Sequence, residues 1–313
     1  FATMNSAVNV SGGSDFAWGS LSFSNQQTNG FNISDFGDET DESRLKTFGF
    51  RGGIRPFKPL TLDVAVRGSD NLAGSDGEGP GNGPNGDLTR TFDTLDFTYE
   101  DILLAGAGAK LELFGGHGVQ ELRGDVNETI REFRSPTFYS RNDGESSRFQ
   151  YFNTLKFDTP AFAQGKHTLT GLIEHEDQEF TPVTQDNILR TREIDSFAGD
   201  YTGEFFGLLG IQAAARRDDF DVFGAFDTWR TAGSLKLPNT PFRVHGSAGT
   251  GVKAPTMFEQ FGEFPLFGFV PNPDLAPEES FGWDTGVEVT LAGGRAVFDV
   301  TWFEADLENK IAA

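Results

Sequence analysis

Cysteine is absent from the chain, which removes three classes of protein at once: disulfide-stapled domains, thiolate metal centres and thiol enzymes. It leaves the compartment open, because oxidising locations permit disulfides without requiring them. Basic residues are scarce, with 25 Lys and Arg against 47 Asp and Glu and a formal net charge of −22. Contacts along a nucleic-acid backbone need the opposite balance, so no nucleic-acid partner is expected. The 4 His are scattered without zinc-site spacing. No segment approaches the roughly 18 consecutive apolar residues of a transmembrane helix. The mean hydropathy of −0.37 resembles that of a soluble protein. A membrane β-barrel reaches the same value, since it needs apolar residues only at alternate positions of short strands.

What is present is alternation. Leu60, Leu62, Val64 and Val66 share one face, and Thr61, Asp63, Ala65 and Arg67 the other. Phe281, Trp283, Thr285, Val287, Val289 and Leu291 oppose Gly282, Asp284, Gly286, Glu288 and Thr290. The same pattern runs through 242–253 and 296–303 and predicts strands with one apolar and one polar face. Helical periodicity of comparable length is lacking, so the chain reads as all-β.

The connectors sharpen this. Short links near Ser11–Asp15, Arg55–Leu60, Gly115–Gly118, Asp158–Gly165, Thr202–Glu204, Pro238–Pro241 and Ala292–Arg295 take turns with long ones. The long links lie near Gln27–Ser43, Asp70–Arg90, Glu132–Ser146, Glu179–Arg190, Arg217–Ala225 and Lys253–Ser280. The count is about fourteen strands, with every tight turn at one end and every loop at the other. That is the build of a transmembrane up-and-down antiparallel β-barrel. A Greek-key sandwich does not sort its loops by end, and a propeller would show a blade-length repeat. The alternative from another class is a soluble, lectin-like β binding module, which would turn its apolar faces into a closed core.

One stretch carries a family resemblance. From Arg243 the chain runs through Gly251, Val252, Lys253, Ala254 and Pro255, then through Asn272, Pro273, Asp274, Leu275, Pro277, Glu278 and Ser280. This resembles the Gly-aromatic-Lys-Ala-Pro and Asn-Pro-Asx-Leu-x-Pro-Glu elements of TonB-dependent receptors, with Val252 in the aromatic position. Arg216-Arg217-Asp218-Asp219 with Phe223-Gly224 and Thr228-Trp229-Arg230 is similar to another segment of the same barrels. His167–Gly171 and Val300–Lys310 also resemble strands of the family. Order and spacing are nearest to its cobalamin receptors.

The resemblance implies an outer-membrane barrel of about 22 strands with a plug in its lumen. This chain, 1–313, would supply about fourteen of those strands, with signal peptide, plug domain and C-terminal strands outside it. It implies a transporter and no enzyme, with three partners: outer-membrane lipid, the TonB complex reached through the plug region, and a small-molecule nutrient. Cobalamin is the first expectation and a ferric siderophore the second. Substrate contacts would come from Lys253, Phe258, Phe261, Phe264, Phe267 and Phe269, an aromatic lip able to pack on a flat apolar ligand. The phenylalanines fit packing against neighbouring loops equally well, and the motif's prolines read first as a loop brace without ligand contact. Calcium in two early loops is also implied, with Asp35, Asp38, Asp41 and Asp93 as oxygen donors, although Asn29-Gly30 replaces an acidic turn there. The same acids fit a solvated rim. Glu132 and Asp143 could pose as a glycosidase pair, but such loop-borne pairs arise by chance among so many acids.

Overall fold

The computed structural model describes residues 2–32, 40–79, 90–262 and 270–311, and of 77–79 and 90–92 the backbone alone. The strands are β1 (Thr3–Gly13), β2 (Ala17–Thr28), β3 (Ser43–Phe57), β4 (Leu60–Gly79), β5 (Arg90–Leu113), β6 (Gly118–Arg134) and β7 (Tyr139–Thr159). They continue with β8 (Gly165–Pro182), β9 (Arg190–Phe205), β10 (Leu209–Phe220), β11 (Gly224–Lys236), β12 (Phe242–Lys253), β13 (Glu278–Leu291) and β14 (Ala296–Glu308). Each pairs antiparallel with the next in one 14-stranded sheet, so the expected meander is present and its edges are β1 and β14. Among the described residues, one short α-helix, α1 (Met257–Phe261), lies between β12 and β13.

Register sorts the side chains into two faces. Val10, Leu21, Phe50, Val66, Ala105 and Val126 lie opposite one another across β1–β6 and form an apolar row. One residue along, Asn9, Ser22, Gly49, Arg67, Leu104 and Asn127 make the adjoining row on the other face. That row continues through Ser146 and Gln178 to Arg192 on β9. The apolar face is uncovered: Val10, Leu21, Phe50, Val64, Leu122, Phe149, Ile173, Phe197 and Val300 are all exposed. Among the described residues the buried hydrophobics are Leu72, Phe133, Phe180, Ile194 and Met257, at the loop end of the strands and on α1. A soluble sandwich would hide its apolar face in a core. This sheet does the reverse, which overturns the lectin-like alternative.

The apolar face has a defined height. At the tight-turn end it closes in an aromatic cluster, where His167 stacks on Phe157 at 4.7 Å and meets the rings of Tyr201 and Phe205 at 6.0 and 5.4 Å. The His167 ring nitrogens lie 2.8 Å from the Tyr201 and Thr159 hydroxyls, so both polar tips are satisfied beside apolar surface. On β4 the climb from apolar Leu60 to Asp70 is about 25 Å at typical rise and tilt, the height of a lipid-facing band.

Some connectors differ from expectation. The β9–β10 turn lies at Phe206–Leu208, beyond Thr202–Glu204, because the ladder runs on to Phe205 opposite Leu209. Phe206 and Gly207 then turn the chain with left-handed φ of 57° and 64°. Two links expected to be long are short: 135–138 joins β6 to β7, and 221–223 joins β10 to β11. Pairing needs only backbone, and these strands continue past the apolar band with Glu, Arg, Asn and Asp side chains. The alternation signal therefore disappears before the ladder does.

Candidate functional site

The polar face is the concave one. The β12–β13 link folds over it, setting the Phe258 ring edge-to-face with Phe180 of β8 at 6.5 Å. Beneath it, β7–β10 carry an inward ladder of charge-assisted hydrogen bonds. Glu174, 6% exposed, accepts from Gln150 Nε2 at 2.5 Å and from Arg216 at 2.6 Å. Arg216 also donates to Asp218 at 2.7 Å and to the fully buried Ser196 hydroxyl at 2.9 Å. Period two puts His175 on the opposite face, where it meets Asp195 at 2.7 Å.

The family-like motif builds the link. A Cβ on Gly251 would come 2.9 Å from the Ser280 hydroxyl, so the two motif halves meet closely at the ends of β12 and β13. Ala254 leads into Pro255, which is fully buried and ends the strand because it has no N–H for the ladder. Thr256 and Glu259 form a reciprocal capping box that starts α1. The Thr-x-x-Glu spacing was readable in the sequence as the signal for a helix. Asn272 Oδ1 accepts from Asp274 N at 3.0 Å, an Asx turn that brings Leu275 N within 3.3 Å of the Asn272 carbonyl. Buried Pro277 receives Asn309 Nδ2 at 3.4 Å.

The expected substrate contacts separate. Lys253 lies 3.4 Å from Glu278, its register partner, as a strand-end ion pair with Lys253 57% exposed. Phe258 packs on Phe180, and Phe261 lies under the Arg190 guanidinium at 4.9 Å. Phe264, Phe267 and Phe269 lie outside the described residues, as do Asp35 and Asp38. Under α1 is a cavity of about 470 Å³, lined among others by Asn127, Arg131, Asn142, Gln178, Phe180 and Met257. None of those six was singled out from the sequence. They sit on four elements, β6, β7, β8 and α1, and only strand register and the fold of the β12–β13 link bring them together.

The acidic loops converge in part. Asp41 and Asp93 come near each other and near Asp76, and Asn32 donates to Asp93 at 3.2 Å. The carboxylate oxygens of Asp41 and Asp76 are shielded from water and have no hydrogen-bond partner among the described residues. Burial, and then the neighbouring Asp76 and Asp93 carboxylates, hold the Asp41 carboxyl above the usual range. Gly30, with φ of 66°, lies so close to the Asp41 backbone that a Cβ would come 1.8 Å from its carbonyl oxygen. Among the described residues no group of three or more His, Asp or Glu is already placed to hold a metal ion. Glu132 and Asp143 are tied through Arg141, at 3.3 and 2.7 Å, in a salt-bridged trio.

Comparison with known proteins adds the family. The profile described as "TonB dependent receptor-like, beta-barrel" matches residues 6–313. The structure is similar to the siderophore receptor PirA from Acinetobacter baumannii, with TM-score 0.77 and 15% identity over 98% of this chain and 50% of that one. It is similar to the Serratia marcescens hemophore receptor HasR, solved with its hemophore HasA and heme (TM-score 0.74, 13% identity, 98% and 54% covered). A third similar structure is the RagAB peptide transporter (TM-score 0.68, 14% identity, 97% and 44% covered). At such identities the likeness concerns the fold alone, and the chain spans about half the length of these structures. The uncovered apolar face, the inward charge ladder and the profile match agree: the chain belongs to the TonB-dependent receptor β-barrel family of outer-membrane proteins, which are transport receptors.

Proposed function

We propose that this chain is the larger part of the wall of a receptor for a scarce, bulky nutrient, cobalamin first among them. In this reading a plug domain and further strands outside the sequence complete the barrel, and TonB supplies the energy through the plug. The cavity under α1 carries the proposal. Amides and hydroxyls of Asn127, Thr129, Asn142 and Gln178 stand beside the apolar Phe180, Met257 and Phe258. A corrin ring edged with amide groups asks for that mixture of flat apolar contact and neutral hydrogen bonding. Among the lining residues Arg131 is the one cation, against Glu100, Glu145 and Glu179. An acid excess opposes an anionic ferric chelate.

A ferric siderophore or similar chelate is the second reading, favoured by Arg131 in the same cavity. Titration calorimetry on the complete receptor separates the two. Saturable cobalamin binding that excess ferric chelate does not displace supports the first. Chelate binding with no cobalamin signal contradicts it.

Calcium fits the Asp41, Asp76 and Asp93 cluster as a second part of the reading. The shielded carboxylate oxygens of Asp41 and Asp76, without a hydrogen bond among the described residues, are what a hard cation would satisfy. With its folded pKa raised, Asp41 favours the ordered loops below the usual aspartate range, and that contribution is lost as pH rises through its raised pKa. Calcium would replace the proton at neutral pH. Calorimetric melting in detergent should therefore show millimolar calcium raising Tm at pH 7 and leaving it unchanged near pH 3, where the raised Asp41 carboxyl holds its proton. An equal shift at both pH values, or none at pH 7, would sink the calcium reading.

A further inference from the structure

Arg192 is the most buried cation in the described structure, 3% exposed on the concave face of β9. Its bonds do not go to acids. Nη1 donates to the Pro255 carbonyl at 2.9 Å and Nη2 to Gln260 Oε1 at 2.6 Å. Gln178 Oε1 is a weaker third acceptor at 3.4 Å. The Phe223 ring lies beneath the guanidinium at 5.0 Å, while Nε has no hydrogen-bond partner among the described residues. No ion pair within 4.0 Å is made by Arg192 among the described residues, whereas Arg216 in the same ladder makes two.

The partners of Arg192 all belong to other elements, and two of them to the β12–β13 link. Gln260, 4% exposed, passes the connection on, donating Nε2 to the Pro273 carbonyl at 3.0 Å. Asn272 N reaches the Glu259 carbonyl at 3.1 Å. One guanidinium on β9 thus fastens Pro255 and α1 directly, and the returning 272–274 segment through Gln260. Thr256, Met257 and Phe258 of the fastened link roof the cavity.

We infer that Arg192 is a positioning residue that latches residues 255–262, with α1, and the returning 272–274 segment over the concave-face cavity and releases them when the cavity opens. The energetics suit a releasable latch. Hydrogen bonds from a cation to neutral acceptors are strong, but a buried cation with no ion pair among the described residues, and only the more distant Asp221 and Glu176 to offset its charge, carries a large dehydration cost. Lifting the link breaks the bonds and returns the guanidinium to water, so gain and loss offset one another. The planar fork also matters, because it reaches a backbone carbonyl and a side-chain amide together, which a lysine ammonium cannot hold in one geometry. The latch rests on the proposed use of this cavity as the ligand site, but its test needs no ligand, so the two can fail separately.

The test is amide hydrogen exchange on the complete receptor in micelles, comparing the parent with Arg192→Ala, Arg192→Lys and Gln260→Ala. In Arg192→Ala, exchange in 257–262 and 272–277 should accelerate by about tenfold to a hundredfold, the loss of charge-assisted bonds read as local opening. Rates in the β8–β10 ladder should be unchanged. Arg192→Lys should restore part of the protection, and Gln260→Ala should free 272–277 while leaving β9 untouched. Unchanged exchange in α1 of Arg192→Ala would overturn the latch. Acceleration spread through β8–β10 would overturn it as well, making Arg192 a general brace. If Arg192→Ala does not fold, Gln260→Ala alone decides, and protected 272–277 in that variant contradicts the proposal.

Discussion

Val64→Arg is expected to cost about 2–4 kcal/mol of folding stability in a bilayer, while Ala65→Arg beside it costs less than about 1 kcal/mol. Val64 lies on the apolar row with Gly52, Ala107 and Gly124, midway between Leu60 at the tight-turn end and Asp70 at the loop end. A cation there meets hydrocarbon at its deepest. Ala65 is one step along and points to the concave, watered face, so even opposite Arg51 its arginine stays hydrated. Urea titration of refolding into phospholipid vesicles measures both. In a soluble sandwich an arginine at Val64 would instead break a packed core, and dispersing the chain in plain buffer would leave it monomeric.

The second large effect is internal. Glu174→Ala should destabilise the wall by about 2–3 kcal/mol. Removing one member of a fully buried pair typically costs about 3–5 kcal/mol. The value is smaller here because Arg216 keeps 35% of its side-chain surface exposed and retains Asp218. Glu174→Gln should lose less, since an amide oxygen still accepts from Arg216. Equal losses for the two variants would mean that the negative charge alone, not the shape or the accepting oxygen, holds the ladder.

The wall was legible in the sequence wherever apolar and polar residues alternate, as at Leu60–Arg67, because period two labels two different solvents. It was illegible above the band. There Glu132, Arg134, Arg141 and Asp143 continue β6 and β7 with polar side chains, so a paired strand reads as a loop. The motif was legible as a family mark, and Pro255, Asn272 and Pro273 brace the link as prolines and Asx turns do. What holds that brace was not legible. Arg192 lies 63 residues from Pro255 in sequence, and nothing local distinguishes it from any other arginine on a strand. Asp76 was hidden for a similar reason, since one acid among many gains meaning only from its nearness to Asp41 and Asp93.

The central claim is that the apolar face of this sheet meets lipid and the polar face meets water. The natural absence of Cys makes the direct measurement clean: single cysteines at Leu62, Asp63, Val64, Ala65 and Val66, spin-labelled in the complete receptor in vesicles, read by collision with oxygen and with a water-soluble nickel chelate. The account predicts a period of two, with 62, 64 and 66 favouring oxygen and 63 and 65 favouring the chelate. Uniform access to the chelate, or the reversed phase, would contradict it.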